Sequence, residues 1–192
     1  MLKRAIIYKA QLDGLIAVAA DDKENRYFSN TYWQLASEID ASSWNKHQFV
    51  SVDKNENVVG LLIADLNRGG HSVSNFGIMR FLKDNQYALL FSKDLRDFML
   101  KLLLFYNYRK IEYTVAMGSP QERWYDSYTE KYGGRVVGIY KEHFATESGS
   151  VIDLKMYELF RRDFIQKYQK FHPEHYKKII SEKNPYETEI IK

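Results

Sequence analysis

The sequence contains no cysteine. This absence excludes a disulfide framework, a cysteine-ligated zinc site and a thiol nucleophile, and it is compatible with a reducing compartment. Long hydrophobic runs are also missing: apolar stretches such as 102–106 are far shorter than the ~20 residues that span a bilayer. The first ten residues show no signal-peptide pattern, because polar residues soon interrupt the apolar ones. We therefore expect a soluble, cytoplasmic protein without a membrane-spanning segment.

The charge of the chain is nearly balanced. Its 28 basic and 25 acidic residues give a formal net charge of +3, which does not require a polyanionic partner. Lysines alternate with aromatic residues over 161–178, but nucleic-acid binding would need a clustered basic face, so we do not expect it. A hydrophobic content of 45% over 192 residues is enough for one compact domain.

Hydrophobic periodicity indicates the elements of the first half. We predict a short opening strand, an amphipathic helix, a meander of three antiparallel strands, a second amphipathic helix that begins after Ser92 or Lys93, and a strand that completes a crossover unit. In that helix Ser92 or Asp94 is the predicted cap. The predicted ranges, apart from the second helix, are 5–8, 25–40, 47–52, 58–66, 72–82 and 111–115.

The second half continues the alternation of helices and strands. We predict a helix that begins around Pro120 and ends at Tyr132, two closing strands over 135–140 and 152–159, and two C-terminal helices over 161–171 and 174–183. The fold class is therefore α/β (α+β), with a mixed, largely antiparallel sheet flanked by helices. We expect a domain over 1–160 and a helical extension over 161–192 that packs on the domain or on a second copy in a homodimer.

Particular motifs sharpen this picture. Residues 118–153, with Tyr125-Asp126, the stretch 130–135 and Asp153, and the closing strand Met156-Tyr157-Glu158-Leu159 resemble the second half of the GNAT superfamily of N-acetyltransferases. The order of the elements extends the resemblance over 1–160. The resemblance implies an acyl-CoA-dependent N-acyltransferase, acetyl-CoA as cosubstrate, an amine as acceptor and no metal.

One family motif is missing from the chain. GNAT enzymes bind the pyrophosphate of acetyl-CoA with a loop of the form Arg/Gln-x-x-Gly-x-Gly/Ala and the helix that follows it, whereas residues 81–94 contain no glycine. The missing glycines favour an alternative, a catalytically inactive GNAT-like binding or assembly module. At this predicted helix start the N-terminus and the lysines favour a phosphate, whereas Asp94 would repel it. If the chain is an enzyme, the resemblance implies contacts with the cosubstrate at Phe81, Leu82, Lys83, Ser92, Lys93, Asp94 and Ser119.

The resemblance also implies a tyrosine that donates a proton to the departing sulfur. The family position falls on Thr129, so we expect Tyr128, which is adjacent, or Tyr125, one turn earlier, to act. Tyr128 shares a helical face with Trp124 and Tyr132, and such a stripe is also typical of packing. Glu112 on the fifth strand is the candidate general base; the alternatives are a pairing with a nearby lysine and a base that acts through water.

Two histidines near the C-terminus have a spacing of three residues. His172 and His175 could ligate a metal, but Pro173 lies between them and a third ligand is not evident in the sequence. We interpret them as surface histidines and predict no metal site.

Overall fold

The computed structural model describes residues 1–20, 38–40, 44–145 and 149–181. The predicted helix over 25–40 lies almost wholly outside these ranges. In chain order the elements are β1 (Leu2–Arg4), a 3-10 helix (Ala5–Tyr8), α1 (Lys9–Ala20), β2 (Lys46–Val52), β3 (Val58–Asn67), β4 (Ser72–Arg80), α2 (Asn85–Leu100) with a π-helical end (Lys101–Phe105), β5 (Lys110–Ala116), α3 (Glu122–Lys131), β6 (Arg135–Ala145), β7 (Val151–Phe160), α4 (Arg161–Phe171) and α5 (Pro173–Ser181).

Seven strands form one sheet in the order β1-β2-β3-β4-β5-β7-β6. All neighbours are antiparallel except β4 and β5, which run parallel. The meander β2-β3-β4 follows from its turns: the Asp53 carboxylate accepts hydrogen bonds from the backbone N–H groups of Asn55 and Asn57 at 2.8 and 2.9 Å. The predicted mixed, largely antiparallel sheet flanked by helices is confirmed.

The sheet has a buried core on each face. Because neighbouring residues of a strand point to opposite faces, Phe49 belongs to the core under α2, α3 and α4, whereas Val50 belongs to the core under α1. On α2, Leu95, Phe98 and Met99 recur at helical spacing and are all buried. The stripe that predicted this helix therefore faces the sheet.

The start of the chain differs from the prediction. The opening strand is Leu2–Arg4, and the predicted strand at residues 5–8 is a 3-10 helix. Its buried residues, Ala5 and Tyr8, are three apart, which is the period of a 3-10 turn and not that of a strand. This turn directs the chain away from the sheet edge into α1, a helix that was not predicted.

The C-terminal helices follow the predicted boundaries closely, with α4 at Arg161–Phe171 and α5 at Pro173–Ser181. Phe164 and Tyr168 of α4 are fully buried and belong to the core on the α2 face. Over the ranges given above, no helix is both long and apolar enough to cross a membrane.

Gly60 lies where β3 passes under α2. A Cβ atom at this position would lie 2.4 Å from the Phe91 ring and 2.5 Å from the Met79 carbonyl oxygen. We expect Gly60→Ala to lower the free energy of unfolding by about 1–3 kcal/mol through overpacking, measured by denaturant titration. Gly14→Ala on α1 is the matched control, since nothing lies within 4 Å of its Cβ, and it should leave stability unchanged or raise it. Equal stability of the two variants would contradict the close approach at Gly60.

Candidate active site

The parallel strands β4 and β5 diverge. Their register contains two residue pairs, Ser72 with Lys110 and Val73 with Ile111, after which β4 continues on β3 and β5 on β7. The separation therefore opens toward the carboxyl ends of both strands. Phe76 on β4 and Tyr113 on β5, whose ring centroids are 6.3 Å apart, fill its inner end from the α2 face.

The helix between these strands begins earlier than predicted. α2 starts at Asn85, so the predicted start after Ser92 or Lys93 and the predicted caps Ser92 and Asp94 are wrong. Its N-cap residue is Asp84. The reason is that only four residues, 81–84, connect β4 to α2, and two of them extend β4, since the N–H groups of Phe81 and Leu82 donate to the Val59 carbonyl at 2.9 and 3.3 Å.

Ser92, Lys93 and Asp94 therefore lie inside the helix. At 1.5 Å per residue they are about 10 to 14 Å from its first residue. Ser92 and Lys93 are exposed. The Asp94 carboxylate is buried and accepts hydrogen bonds from Ser51 Oγ and from the Met1 amino group, both at 2.7 Å. The expected repulsion between Asp94 and a phosphate at the start of the helix does not arise.

The start of α2 suits an anion. Its first turn contains no acidic residue beyond the Asp84 carboxylate at the cap, which opposes an anion. The Asp84 side chain makes no capping hydrogen bond, so the first N–H groups lack a side-chain partner among the described residues. Lys83 precedes the cap, and Arg80 ends β4, where its guanidinium donates to the Lys83 carbonyl at 3.4 Å. Arg80 was not among the predicted contacts, although its position as a basic residue directly before the predicted loop could have indicated it.

The aromatic stripe on α3 is a packed cluster. The Trp124 and Tyr128 rings stack at 5.0 Å, and the Tyr128 and Tyr132 rings lie 4.7 Å apart. The Tyr128 hydroxyl donates to Met99 Sδ on α2 at 2.8 Å. Burial raises the pKa of Tyr128 well above its usual value. Tyr128 thus ties α3 to α2.

Tyr125 lies on the side of α3 that faces the sheet. Its ring is 5.5 Å from that of Tyr113 on β5 and 6.2 Å from that of Tyr157 on β7. In the described part of the chain its hydroxyl makes no side-chain hydrogen bond, whereas the Tyr113 hydroxyl pairs with Thr129 Oγ1 at 2.7 Å. Burial raises the pKa of Tyr125, so its hydroxyl is protonated at neutral pH.

Ser119 lies in the turn between β5 and α3. The residue is buried, and its Oγ has no hydrogen-bond partner in the ranges that the structure covers. A buried hydroxyl without a partner carries an energetic cost that a ligand can remove. Among the predicted cosubstrate contacts, Ser119 is the one that follows the carboxyl end of β5.

Glu112 is ion-paired. Its carboxylate lies 2.6 Å from Lys110 Nζ, which also approaches Glu158 at 3.4 Å. Glu158 in turn pairs with Arg135. The side chain of Glu112 points away from the face of Tyr113 and α3, as the strand alternation predicted. The arrangement agrees with the expected alternative of a strand glutamate paired with a lysine.

The two C-terminal histidines contact different tyrosines. His172 Nε2 lies 3.3 Å from the Tyr132 hydroxyl, and His175 Nδ1 lies 2.5 Å from that of Tyr168. Both residues are half-buried, and each lies at the surface against a tyrosine ring. In the described ranges, no group of three or more histidine, aspartate or glutamate side chains could hold a metal ion.

Comparison with solved structures finds this architecture in spermidine N-acetyltransferases of Vibrio cholerae. A chimera of that enzyme, SpeG, with hSSAT is 18% identical over 86% of this chain and 99% of its own, with a TM-score of 0.65. SpeG in complex with CoA and spermine is 17% identical over 86% of this chain and 97% of its own, with a TM-score of 0.64. SpeG in complex with manganese ions is 16% identical over 81% of this chain and 91% of its own, with a TM-score of 0.59.

No protein-family model matches the chain, and a comparison with curated protein sequences finds no match. At identities this low the likeness to solved structures establishes the fold alone. The chain has the GNAT N-acetyltransferase fold, and the resemblance in the sequence is confirmed at that level.

Proposed function

We propose that this chain is an acyl-CoA-dependent N-acetyltransferase that transfers an acetyl group from acetyl-CoA to an amine. The observation that carries the proposal is the divergence of β4 and β5, with the start of α2 at the end of one strand and Ser119 at the end of the other. SpeG of Vibrio cholerae, which has the same fold, has been solved in complex with CoA and spermine. A ligand with phosphate groups at one end and a long chain that becomes buried at the other would fit this opening.

The phosphates of acetyl-CoA are assigned to the start of α2. Arg80 occupies the first position of the family pattern, while Lys83 and Asn85 replace its glycines. The N–H groups at the beginning of the helix and the positive end of its dipole favour an anion. In place of the backbone N–H groups that a glycine loop would present to the phosphates, the side chains of Arg80 and Lys83 supply positive charge. Ser119 Oγ, buried and without a partner among the described residues, fits a polar atom further along the same ligand.

The transfer is a direct displacement. The amine nitrogen attacks the thioester carbonyl carbon, the bond between carbon and sulfur breaks, and the departing thiolate takes a proton from a tyrosine hydroxyl. Water carries the proton lost by the amine to the tyrosinate, which restores the hydroxyl, so the amide and the free thiol are the net products. Atoms and charge balance without a metal or a redox partner.

We assign the proton donor to Tyr125 in preference to Tyr128. The Tyr128 hydroxyl already donates to Met99 Sδ, whereas the structure records no such bond for Tyr125 among the residues it describes. Tyr125 also faces β5 through Tyr113. Its raised pKa keeps the hydroxyl protonated at neutral pH, where it can donate to the negative charge that develops on the departing sulfur.

Glu112 is not assigned as the base. Its ion pair with Lys110 and its position on the other face of β5 favour a structural role. A base that acts through water was an alternative expected from the sequence, and we assign the removal of the amine proton to water. The acceptor class is small amines, and polyamines come first in a screen because the CoA complex of the neighbour also holds spermine.

A second candidate function is a non-catalytic binding or assembly module. The observation that favours it is the absence of glycine from residues 81–94. Without glycine the backbone cannot approach a pyrophosphate as closely as in the family pattern. This candidate predicts that the chain does not bind acetyl-CoA.

Thermal unfolding with and without acetyl-CoA separates the two candidates. At a concentration ~100 times the dissociation constant, a ligand of the native state adds about 2.7 kcal/mol to the free energy of unfolding, and we expect a clear rise in Tm. CoA should act similarly, and a dephosphorylated analogue should act more weakly because the basic residues at α2 lose their partner. No shift at saturating concentrations would exclude acetyl-CoA as the cosubstrate and favour the binding module.

A further inference from the structure

A pocket lies at the end of the sheet where β2 and β4 begin and β3 ends. Its volume is about 330 Å³, and it is lined by His47, Arg68, His71, Tyr106 and Tyr108. Small-molecule sites in proteins start at roughly 300 Å³, so the pocket has room for a compact ligand.

Three separate chain segments build this pocket. His47 is on β2, Arg68 and His71 flank the turn between β3 and β4, and the two tyrosines follow the π-helical end of α2. His71 has a left-handed backbone (φ +49°) that is fixed at both sides: its N–H donates to the Arg68 carbonyl at 3.3 Å and its carbonyl accepts from the Arg109 N–H at 2.9 Å. The backbone of His71 is therefore held in place from both sides.

The imidazoles pack on the tyrosines and leave their nitrogens available. The His47 and Tyr106 rings stack at 4.5 Å and 9°, and the His71 and Tyr108 rings lie 5.5 Å apart. Within the described ranges, neither imidazole makes a hydrogen bond to the protein. The same holds for the Tyr108 hydroxyl, so three potential donors meet at the pocket.

The electrostatics of the pocket are positive. None of the five lining residues is acidic. The Arg68 guanidinium stacks on Trp44 at 4.1 Å and donates to its carbonyl oxygen at 2.6 Å, which fixes the charge at the rim. Burial, together with the charges of Lys101, Arg68 and Arg4, lowers the pKa of His47 to about 4. The positive charges that disfavour protonation of His47 would attract an anion bound in the pocket.

We propose that this pocket binds the phosphate group of a small molecule, with Arg68 supplying the charge and His47, His71 and Tyr108 donating hydrogen bonds. A guanidinium matches two phosphate oxygens, and the imidazole N–H groups and a phenol O–H can donate to the others. A cation, including a polyamine, would meet Arg68 and the neighbouring Lys101 and is disfavoured. A metal is disfavoured for the same reason.

This pocket is distinct from the proposed acetyl-CoA site. The nine residues of β4 separate the His71 turn from the start of α2, which corresponds to about 30 Å at the rise of a strand. The inference does not rest on the proposed function, because it uses residues at the opposite end of the sheet. Acetyl-CoA binding can fail while phosphate binding holds, and the reverse is equally possible.

Histidine side-chain NMR on the full chain tests the proposal, with inorganic phosphate as the probe and chloride at matched ionic strength as the control. The chain has five histidines, and we expect the resonances of His47 and His71 to move with phosphate and to saturate, while acetate leaves them unmoved. Arg68→Gln should weaken phosphate binding about 10- to 100-fold, because a charge-assisted partner is lost. Resonances that do not move, or that move with acetate instead, would overturn the phosphate assignment.

Two further variants separate binding from folding. His71→Asn keeps a residue that tolerates the left-handed backbone, so it should fold normally and still bind phosphate more weakly. Arg162→Gln removes an arginine of α4 whose side chain is 81% exposed, and it should bind phosphate as the parent does. Equal affinity of Arg68→Gln, His71→Asn and Arg162→Gln would overturn the proposal. Any Tm shift by acetyl-CoA should persist in Arg68→Gln, since the two sites are separate.

Discussion

Replacing Tyr125 by phenylalanine is expected to lower kcat for acetyl transfer by about 100- to 10,000-fold, the range over which a positioned proton donor contributes. The ring stays, so its packing against Tyr113 and Tyr157 is preserved and the fold should not change. What is lost is the hydroxyl that protonates the departing thiolate. The measurement is CoA thiol release at saturating acetyl-CoA with an accepting amine, and KM for acetyl-CoA should change little.

Tyr128→Phe is the matched control. This substitution removes the hydrogen bond to Met99 Sδ from the same helix, so it should cost stability with little effect on kcat. The opposite outcome, in which Tyr128→Phe abolishes turnover and Tyr125→Phe does not, would move the proton donor to Tyr128. Full activity in both variants would exclude a tyrosine of α3 as the acid.

The sheet was predictable because its signals are local. β2 and β3 are strand-like runs joined by a turn rich in asparagine and aspartate, and the apolar residues of α2 from Leu95 onward have helical period. Each of these patterns lies within one element and needs no partner to be recognised. Their order then permits few topologies, since a strand, a helix and a parallel strand form a right-handed crossover.

The errors occur where the pattern depends on tertiary contacts. The first two turns of α2 contain the exposed Leu89 (78%) beside the buried Phe91, so the apolar residues there do not mark a single face in the sequence and the start was placed too late. In α1, Leu12 and Ile16 are buried while Val18 is 73% exposed, which blurs the period in the same way. An apolar residue on a helix surface cannot be distinguished from a core residue without the sheet on which the helix packs.

The site was predictable in residue type but not in detail. Tyr128 was the first candidate in the sequence and Tyr125 the second, and the order is reversed by Met99, a residue of another helix that accepts the hydrogen bond of Tyr128. Asp94 was expected beside a phosphate, and its actual partner, Ser51, lies 43 residues earlier in the chain. Hydrogen bonds between distant residues decide which polar groups are available, and spacing along the chain does not contain that information.

Phe164→Ala tests whether the C-terminal segment is part of the same folding unit as residues 1–160. A domain boundary at residue 160 predicts that it is not. Phe164 is fully buried, with its ring 5.2 Å from Tyr132 on α3 and 5.6 Å from Tyr168 on its own helix. Truncation of such a side chain leaves a cavity, and we expect the free energy of unfolding to fall by about 3–5 kcal/mol. Denaturant titration followed by both circular dichroism and tryptophan fluorescence measures the loss and shows whether one transition persists.

The control for this prediction is on the same helix. Phe171 is 44% exposed and contacts Tyr132 only edge-on at 6.5 Å, so Phe171→Ala should cost far less than Phe164→Ala. A large difference between the two variants within a single cooperative transition would mean that α4 completes the core of the domain and that residues 161–171 belong to it. Similar small losses, or a separate early transition in Phe164→Ala, would instead support an extension that folds on a finished domain over residues 1–160.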